Sequence, residues 1–206
     1  MFKIAVLASG GGTDFQSIID AVESKELDNV KIEMLIASRD GIYAIERAKK
    51  HGIETHVVSR KEYGEKSSDK ILELVKDKVD LIVLAGFLSI LDGRILDEFN
   101  NRIINIHPSL IPSFCGPGMY GLRVHEAVVN SGVKYSGCTV HFVNKDVDGG
   151  AILLQDAVPV YFEDDAETLQ KRILEREHIL LPKAVKLISE GRVEFINGKA
   201  KINTDM

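Results

Sequence analysis

Apolar residues run almost unbroken at 2–8 and 81–84, in stretches too short for a helix face and bounded by turn residues. Such runs mark strands buried on both faces of a parallel sheet. With three further β-branched segments they predict strands at 2–8, 30–37, 54–58, 80–85 and 102–106. Between them the polar and apolar positions recur at helical spacing, near 14–24, 43–51, 68–78 and 92–99. In the third of these, Ile71, Leu72, Leu74 and Val75 form one face. Regular alternation of strand and helix predicts an α/β fold with a doubly wound, mostly parallel sheet.

The second half changes character. Positions 111–121 hold two prolines and three glycines, which predicts a long loop. A helix over 122–130 follows, then strands at 136–143 and 151–160 joined by a turn at 144–150, an antiparallel C-terminal part. A long helix spans 166–189, adjusted at Pro182. Positions 193–202, around Asn197-Gly198, predict a terminal hairpin. No repeat or linker interrupts the chain, so it reads as a single domain, 1–206, with halves of about 1–100 and about 101–206.

Composition narrows the partners. A chain of 206 residues buries a sizeable core without staples. The net charge of −5 supplies no counterion-release energy, which argues against nucleic acid and anionic membranes as partners. The apolar start of the chain is too short for a signal or a membrane span. Two cysteines, Cys115 and Cys138, lack paired spacing, so free thiols in a reducing cytoplasm are expected, with no disulfide and no metal site. His51, His56, His125, His141 and His178 show no mutual ligand spacing, and none is assigned chemistry.

Two features carry candidate chemistry. Ser9-Gly10-Gly11-Gly12-Thr13-Asp14 joins the first strand to the first helix. Glycines there let backbone approach a ligand closely, and a helix N-terminus offers free N–H groups to a phosphate. Phe15 stands where a dinucleotide fingerprint needs glycine or alanine, and no Gly-Lys-Ser/Thr follows for a P-loop. A tight turn with no ligand would give the same pattern. The second feature is Asn105-Ile106-His107-Pro108-Ser109. Residues two apart on a strand leave by one face, so an amide and an imidazole stand together at a strand's C-terminal end, where open α/β sheets bind ligands. Such a pair suits acyl transfer, stabilising a tetrahedral oxyanion and moving a proton. Asp148, in Asp148-Gly149-Gly150, is the candidate carboxylate, with the two glycines freeing the backbone to turn it inward. A structural histidine and a plain turn remain open readings of the same residues.

The motifs Leu7-Ala8-Ser9-Gly10-Gly11-Gly12-Thr13, Val83-Leu84-Ala85-Gly86-Phe87, Asn105-Ile106-His107-Pro108-Ser109-Leu110, Gly137-Cys138-Thr139-Val140-His141-Phe142-Val143 and Asp148-Gly149-Gly150 occur in order. On these the chain resembles the phosphoribosylglycinamide formyltransferases over nearly its whole length. The resemblance implies a Rossmann-like formyltransferase fold. It implies transfer of a formyl group from 10-formyltetrahydrofolate, as co-substrate and without metal, to the amine of glycinamide ribonucleotide in purine synthesis. It implies Asn105, His107 and Asp148 as the catalytic trio, with His107 the proton donor and Asp148 raising its pKa. Gly11, Gly12, Thr13, Asp14 and Glu177 would hold the ribonucleotide. Lys66, Leu88, Ser89, Ile90, Leu91 and Asn105 would contact the folate. The first half would then carry the phosphate side and the second the catalytic and folate side.

Asp14, Ser89 and the length of the loop 114–121 depart from the pattern of many members. The rival readings are a formyltetrahydrofolate deformylase, which passes the formyl group to water, and a methionyl-tRNA formyltransferase. Both normally carry an added domain for which this length leaves no room.

Overall fold

The computed structural model describes residues 1–203. The chain divides into two compact units, Met1–Asn105 and the chain from Ile106 onward.

The first unit alternates β1(Phe2–Ala8), α1(Thr13–Glu23), β2(Val30–Ala37), α2(Tyr43–Lys50), β3(Glu54–Val57), α3(Arg60–Tyr63), α4(Ser67–Val75), β4(Leu81–Leu84), α5(Arg94–Glu98) and β5(Ile103–His107), whose last two residues open the second unit. The strands lie in the order β3-β2-β1-β4-β5, and every neighbouring pair is parallel. Val6 pairs with Leu35 on one side and Val83 on the other. Residues Ile4 to Ala8 and Leu81 to Val83 are fully buried, as strands covered on both faces must be. Each large apolar side chain so buried contributes about 1.5–3 kcal/mol. Strand order reverses between β1 and β4, so the loops after these two strands flank a switch-point crevice at the C-terminal edge.

Two details differ from the sequence pattern. The short helix α3, capped by Ser59 Oγ accepting the Glu62 N–H at 3.2 Å, has too few turns to show a period. Helix α4 stops at Val75, earlier than the periodicity predicts, because Lys76 is extended and Asp77 takes a left-handed φ of 60°.

The second unit holds α6(Leu122–Ser131), β6(Tyr135–Phe142), β7(Ile152–Pro159), α7(Ala166–Ser189), β8(Val193–Ile196) and β9(Lys199–Ile202). Strands β6 and β7 are antiparallel, with Cys138 opposite Asp156 and Val140 opposite Leu154. Helix α7 packs on both strands and on α6, and Leu169, Ile173, Leu181 and Val185 are fully buried along it. It runs unbroken through Pro182. Its start is fixed twice: Asp165 accepts the Thr168 N–H at 2.7 Å, and Arg172 forks onto both oxygens of Asp164 at 2.6 and 2.8 Å. The closing hairpin turns at Asn197 and Gly198, both left-handed. No helix among the described residues is long and apolar enough to cross a membrane.

Candidate active site

In the first unit the glycine loop is built as a cradle. Gly12 caps α1 in the left-handed region, φ 70°, and a Cβ there would stand 2.7 Å from the Ala44 Cβ. Only glycine satisfies both demands. Ala44 N donates to the Gly10 carbonyl at 3.2 Å, and Arg47 Nε donates to the Gly11 carbonyl at 2.9 Å while its Nη1 reaches Gln16 at 2.8 Å. With the Gly10 and Gly11 carbonyls bonded to α2, the loop is held in one shape beside a guanidinium. Ser9 links it to the crevice's other lip. Its hydroxyl accepts the Leu88 N–H at 2.9 Å and the Ser38 hydroxyl at 2.8 Å, and its N–H donates to the Gly86 carbonyl.

That lip is the segment 87–91 after β4. Leu88 and Ile90 are exposed at 60% and 54%, an apolar pair facing water at a sheet's ligand-binding edge, while Leu91 is buried. Ser89 lies between the exposed pair. Lys66 is exposed just before α4, and Ser68 Oγ accepts the Asp92 N–H at 3.1 Å, which ties that helix end to the segment. Sequence reasoning missed Ser9 and Arg47. Ser9 opens the glycine motif, which does not reveal its bonds to Leu88 and Ser38, and only the fold brings Arg47 from α2 to the glycine loop.

Asp14, in the first turn of α1, keeps its carboxyl out of water, and that burial raises its pKa to about 6. The group therefore passes between neutral and charged near physiological pH.

Asn105 and His107 leave β5 two residues apart, and Asn105 pairs in register with Leu84. His107 is buried, and its Nε2 donates to the Phe114 carbonyl at 2.9 Å, since a carbonyl can only accept. Its Nδ1 stands 3.5 Å from Asp148 Oδ2. The structure brings these two together. Burial is the largest influence on the imidazole and pushes its pKa below the ordinary value, although the Phe114 carbonyl and Asp148 both pull it upward. The upward pull expected from Asp148 is present, but burial outweighs it.

Burial also works against the Asp148 carboxylate. A contact from His141, the Gly116 N–H at 2.8 Å and the nearby imidazole charges outweigh it and hold the pKa below its usual range. The loop 114–121, whose role the sequence leaves open, thus supplies backbone partners to both His107 and Asp148.

The Asp148 turn corrects one expectation. Neither Gly149 nor Gly150 takes a positive φ; Asp148 itself does, at 55°. The glycines serve close approach instead. A Cβ on Gly149 would lie 2.8 Å from the Asp146 Cβ, and one on Gly150 would fall on the Phe142 carbonyl oxygen. The turn is held by Asn144, whose Oδ1 accepts the Asp146 N–H at 2.9 Å.

The segment after His107 is held by residues that the sequence did not reveal. Thr139 Oγ1 donates to the Ser109 carbonyl at 2.7 Å and accepts the Ile111 N–H at 3.1 Å. Gln155 Nε2 reaches both Thr139 Oγ1 and the Ile111 carbonyl at 3.0 Å. The Ile111-Pro112 bond is cis. His125, on α6, is buried, and burial with the nearby His107 lowers its pKa to about 4. Glu177 is a buried carboxylate on α7, among Ile173, Leu180 and Leu181.

The formyl transferase family pattern matches residues 2–185. The phosphoribosylglycinamide formyltransferase of Haemophilus influenzae is 39% identical, with 97% of this chain and 96% of that protein aligned. The trifunctional purine biosynthetic protein adenosine-3 of Gallus gallus is 40% identical over 93% of this chain, which spans only 19% of that larger protein. Among solved structures, glycinamide ribonucleotide transformylase 1 from Symbiobacterium toebii superposes with a TM-score of 0.92 at 37% identity, covering 98% of this chain and 94% of that one. A formyltetrahydrofolate deformylase from Pseudomonas syringae pv. tomato gives a TM-score of 0.89 at 25% identity, with 98% of this chain and 66% of that one covered.

Proposed function

The chain belongs to the formyl transferase family, and from that premise we propose that it transfers the formyl group of 10-formyltetrahydrofolate to the amine of 5-phosphoribosylglycinamide in purine biosynthesis. The observation that carries this reading is the imidazole–carboxylate contact of His107 and Asp148 at 3.5 Å, two residues beyond Asn105 on the same strand. Residues 1–206 act as one formyltransferase domain in a cytoplasmic setting, which the two free thiols suit.

Each step uses a group of this chain. The substrate amine attacks the formyl carbon, and a tetrahedral oxyanion forms. The Asn105 amide and the His107 Nε2–H donate to that oxygen, the latter in the direction where it now meets the Phe114 carbonyl. Burial lowers the imidazole pKa, while the Phe114 carbonyl holds a hydrogen on Nε2 whether the ring is neutral or charged, so the ring remains a donor. The attacking amine gives up its proton to the His107–Asp148 pair, and Asp148 steadies the imidazolium so formed. That imidazolium returns a proton to the folate nitrogen as the bond from that nitrogen to the formyl carbon breaks. No metal is needed, because these donors supply the charge stabilisation.

The binding assignments follow chemistry. The N–H groups of Gly11, Gly12, Thr13 and Asp14 at the start of α1 hold the phosphate, with Arg47 beside them. Glu177 orients the ribonucleotide. The exposed apolar pair Leu88 and Ile90, with Ser89 and Leu91, suits a flat pterin, and Lys66 suits the folate's carboxylates.

Calorimetric titration with glycinamide ribonucleotide tests the phosphate placement. A carboxylate near a phosphate repels it only when ionised, and Asp14 ionises near pH 6. Asp14→Asn should therefore tighten binding about 3- to 10-fold at pH 8, the size of one like-charge contact at moderate dielectric. The advantage over wild type should shrink at pH 5, where both side chains are neutral. An unchanged Kd ratio at both pH values would move the phosphate away from this loop.

A further inference from the structure

His141 lies on β6, buried, and takes no part in the chemistry so far. Its ring makes two contacts that together constrain its protons. Nδ1 is 3.0 Å from the Phe142 carbonyl oxygen, which can only accept, so Nδ1 carries a hydrogen. Nε2 faces Asp148 Oδ1 at 3.6 Å, with the His141 side chain 2% and the Asp148 side chain 10% exposed.

In a neutral ring with its hydrogen on Nδ1, Nε2 presents a lone pair. Two acceptors would then face each other in a poorly solvated site, which is repulsive. A hydrogen on either Nε2 or Oδ1 turns the contact attractive.

We propose that His141 is a positioning residue that holds Asp148 by an imidazole–carboxylate contact and so fixes which carboxylate oxygen faces His107. The arrangement leaves Asp148 no free rotation. Oδ1 is engaged by His141, while Oδ2 accepts the Gly116 N–H at 2.8 Å and faces His107 Nδ1 at 3.5 Å. Asp148 stands at a left-handed turn residue, so its aim depends on these side contacts rather than on a strand or helix. Freed on one side, the carboxylate can turn and weaken its hold on His107.

The inference rests on the formyl-transfer reading, and two isosteric variants separate it from a purely structural role. His141→Asn keeps an amide near Nδ1 for the Phe142 carbonyl and leaves nothing at Nε2. His141→Gln does the reverse. The asparagine variant should fold normally and lower kcat about tenfold, with KM for both substrates little changed. The glutamine variant should recover most of that loss by donating to Asp148.

In an Asp148→Asn background, adding His141→Asn should cost less than about twofold, because the partner is already gone. Histidine side-chain 15N spectra give a readout without turnover. Asp148→Asn should move the His141 Nε2 resonance and leave Nδ1 in place. Wild-type kcat in the asparagine variant, a full additional loss in the double variant, or an unmoved Nε2 resonance would each overturn the proposal. If wild-type protein transferred no formyl group, the functional reading would fail instead, and the spectra would still decide the role of His141.

Discussion

Replacing His107 with alanine should lower kcat by about 10²–10⁴-fold, the contribution of a positioned acid, while the melting temperature stays near that of wild type. The ring's polar partners are the Phe114 carbonyl and Asp148. Without the ring, Asp148 keeps the Gly116 N–H and the His141 contact, so no buried charge is orphaned. The fold therefore tolerates the change and the chemistry does not. Asn105→Ala and Asp148→Asn should each cost about 10²-fold or more for related reasons, the first by removing an oxyanion donor. Steady-state kinetics beside thermal melts make the comparison. Near-normal turnover of the alanine variant would remove His107 from the mechanism.

Gly150→Ala should be the most destabilising small change at the site, costing about 3 kcal/mol, or roughly 10 °C of melting temperature. The new Cβ would fall on the Phe142 carbonyl oxygen, which is backbone and cannot rotate away. Relief requires breaking the Phe142 N–H bond to the Ala151 carbonyl at 2.8 Å and shifting β6 against β7. That shift would also carry off Asp148, so activity should fall with stability. Gly10→Ala is the control. Gly10 lacks a positive φ and has no atom within 4 Å of an added Cβ, so little stability should be lost. A Gly150→Ala protein that melted like wild type would contradict the close-approach account of this turn.

Much of this was legible from residues alone, for identifiable reasons. Strands β1 and β4 are apolar on both faces, and only burial in a parallel sheet gives that pattern. Helix α7 is long and amphipathic, and the terminal hairpin announced itself through Asn197-Gly198. Asn105 and His107 could be placed on one face because strand geometry has a period of two. The His107–Asp148 contact could not be read this way, since 41 positions separate the residues and no local rule spans them.

The resemblance supplied that pairing, and the structure supplied its surroundings. Arg47 and Gln155 lie outside every motif, and Thr139 lies inside one that does not reveal its bonds. Their roles arise from contacts 16 to 44 positions apart in sequence. The misreading of Gly149 and Gly150 has the same origin. A glycine needed for positive φ and one needed for close approach look alike until the neighbouring backbone is known.

The central claim is that the formyl acceptor is an amine on a phosphorylated ribose. Water as acceptor would leave the glycine loop and Arg47 without a ligand, although the trio would be the same. The direct measurement incubates the protein with 10-formyltetrahydrofolate, with and without glycinamide ribonucleotide, and follows tetrahydrofolate, formate and the formylated ribonucleotide. Turnover that depends on the ribonucleotide, with one formylated product per tetrahydrofolate released, is the expected result. Brisk release of tetrahydrofolate and formate that is unchanged by adding the ribonucleotide would contradict the account and assign the chain a hydrolase activity.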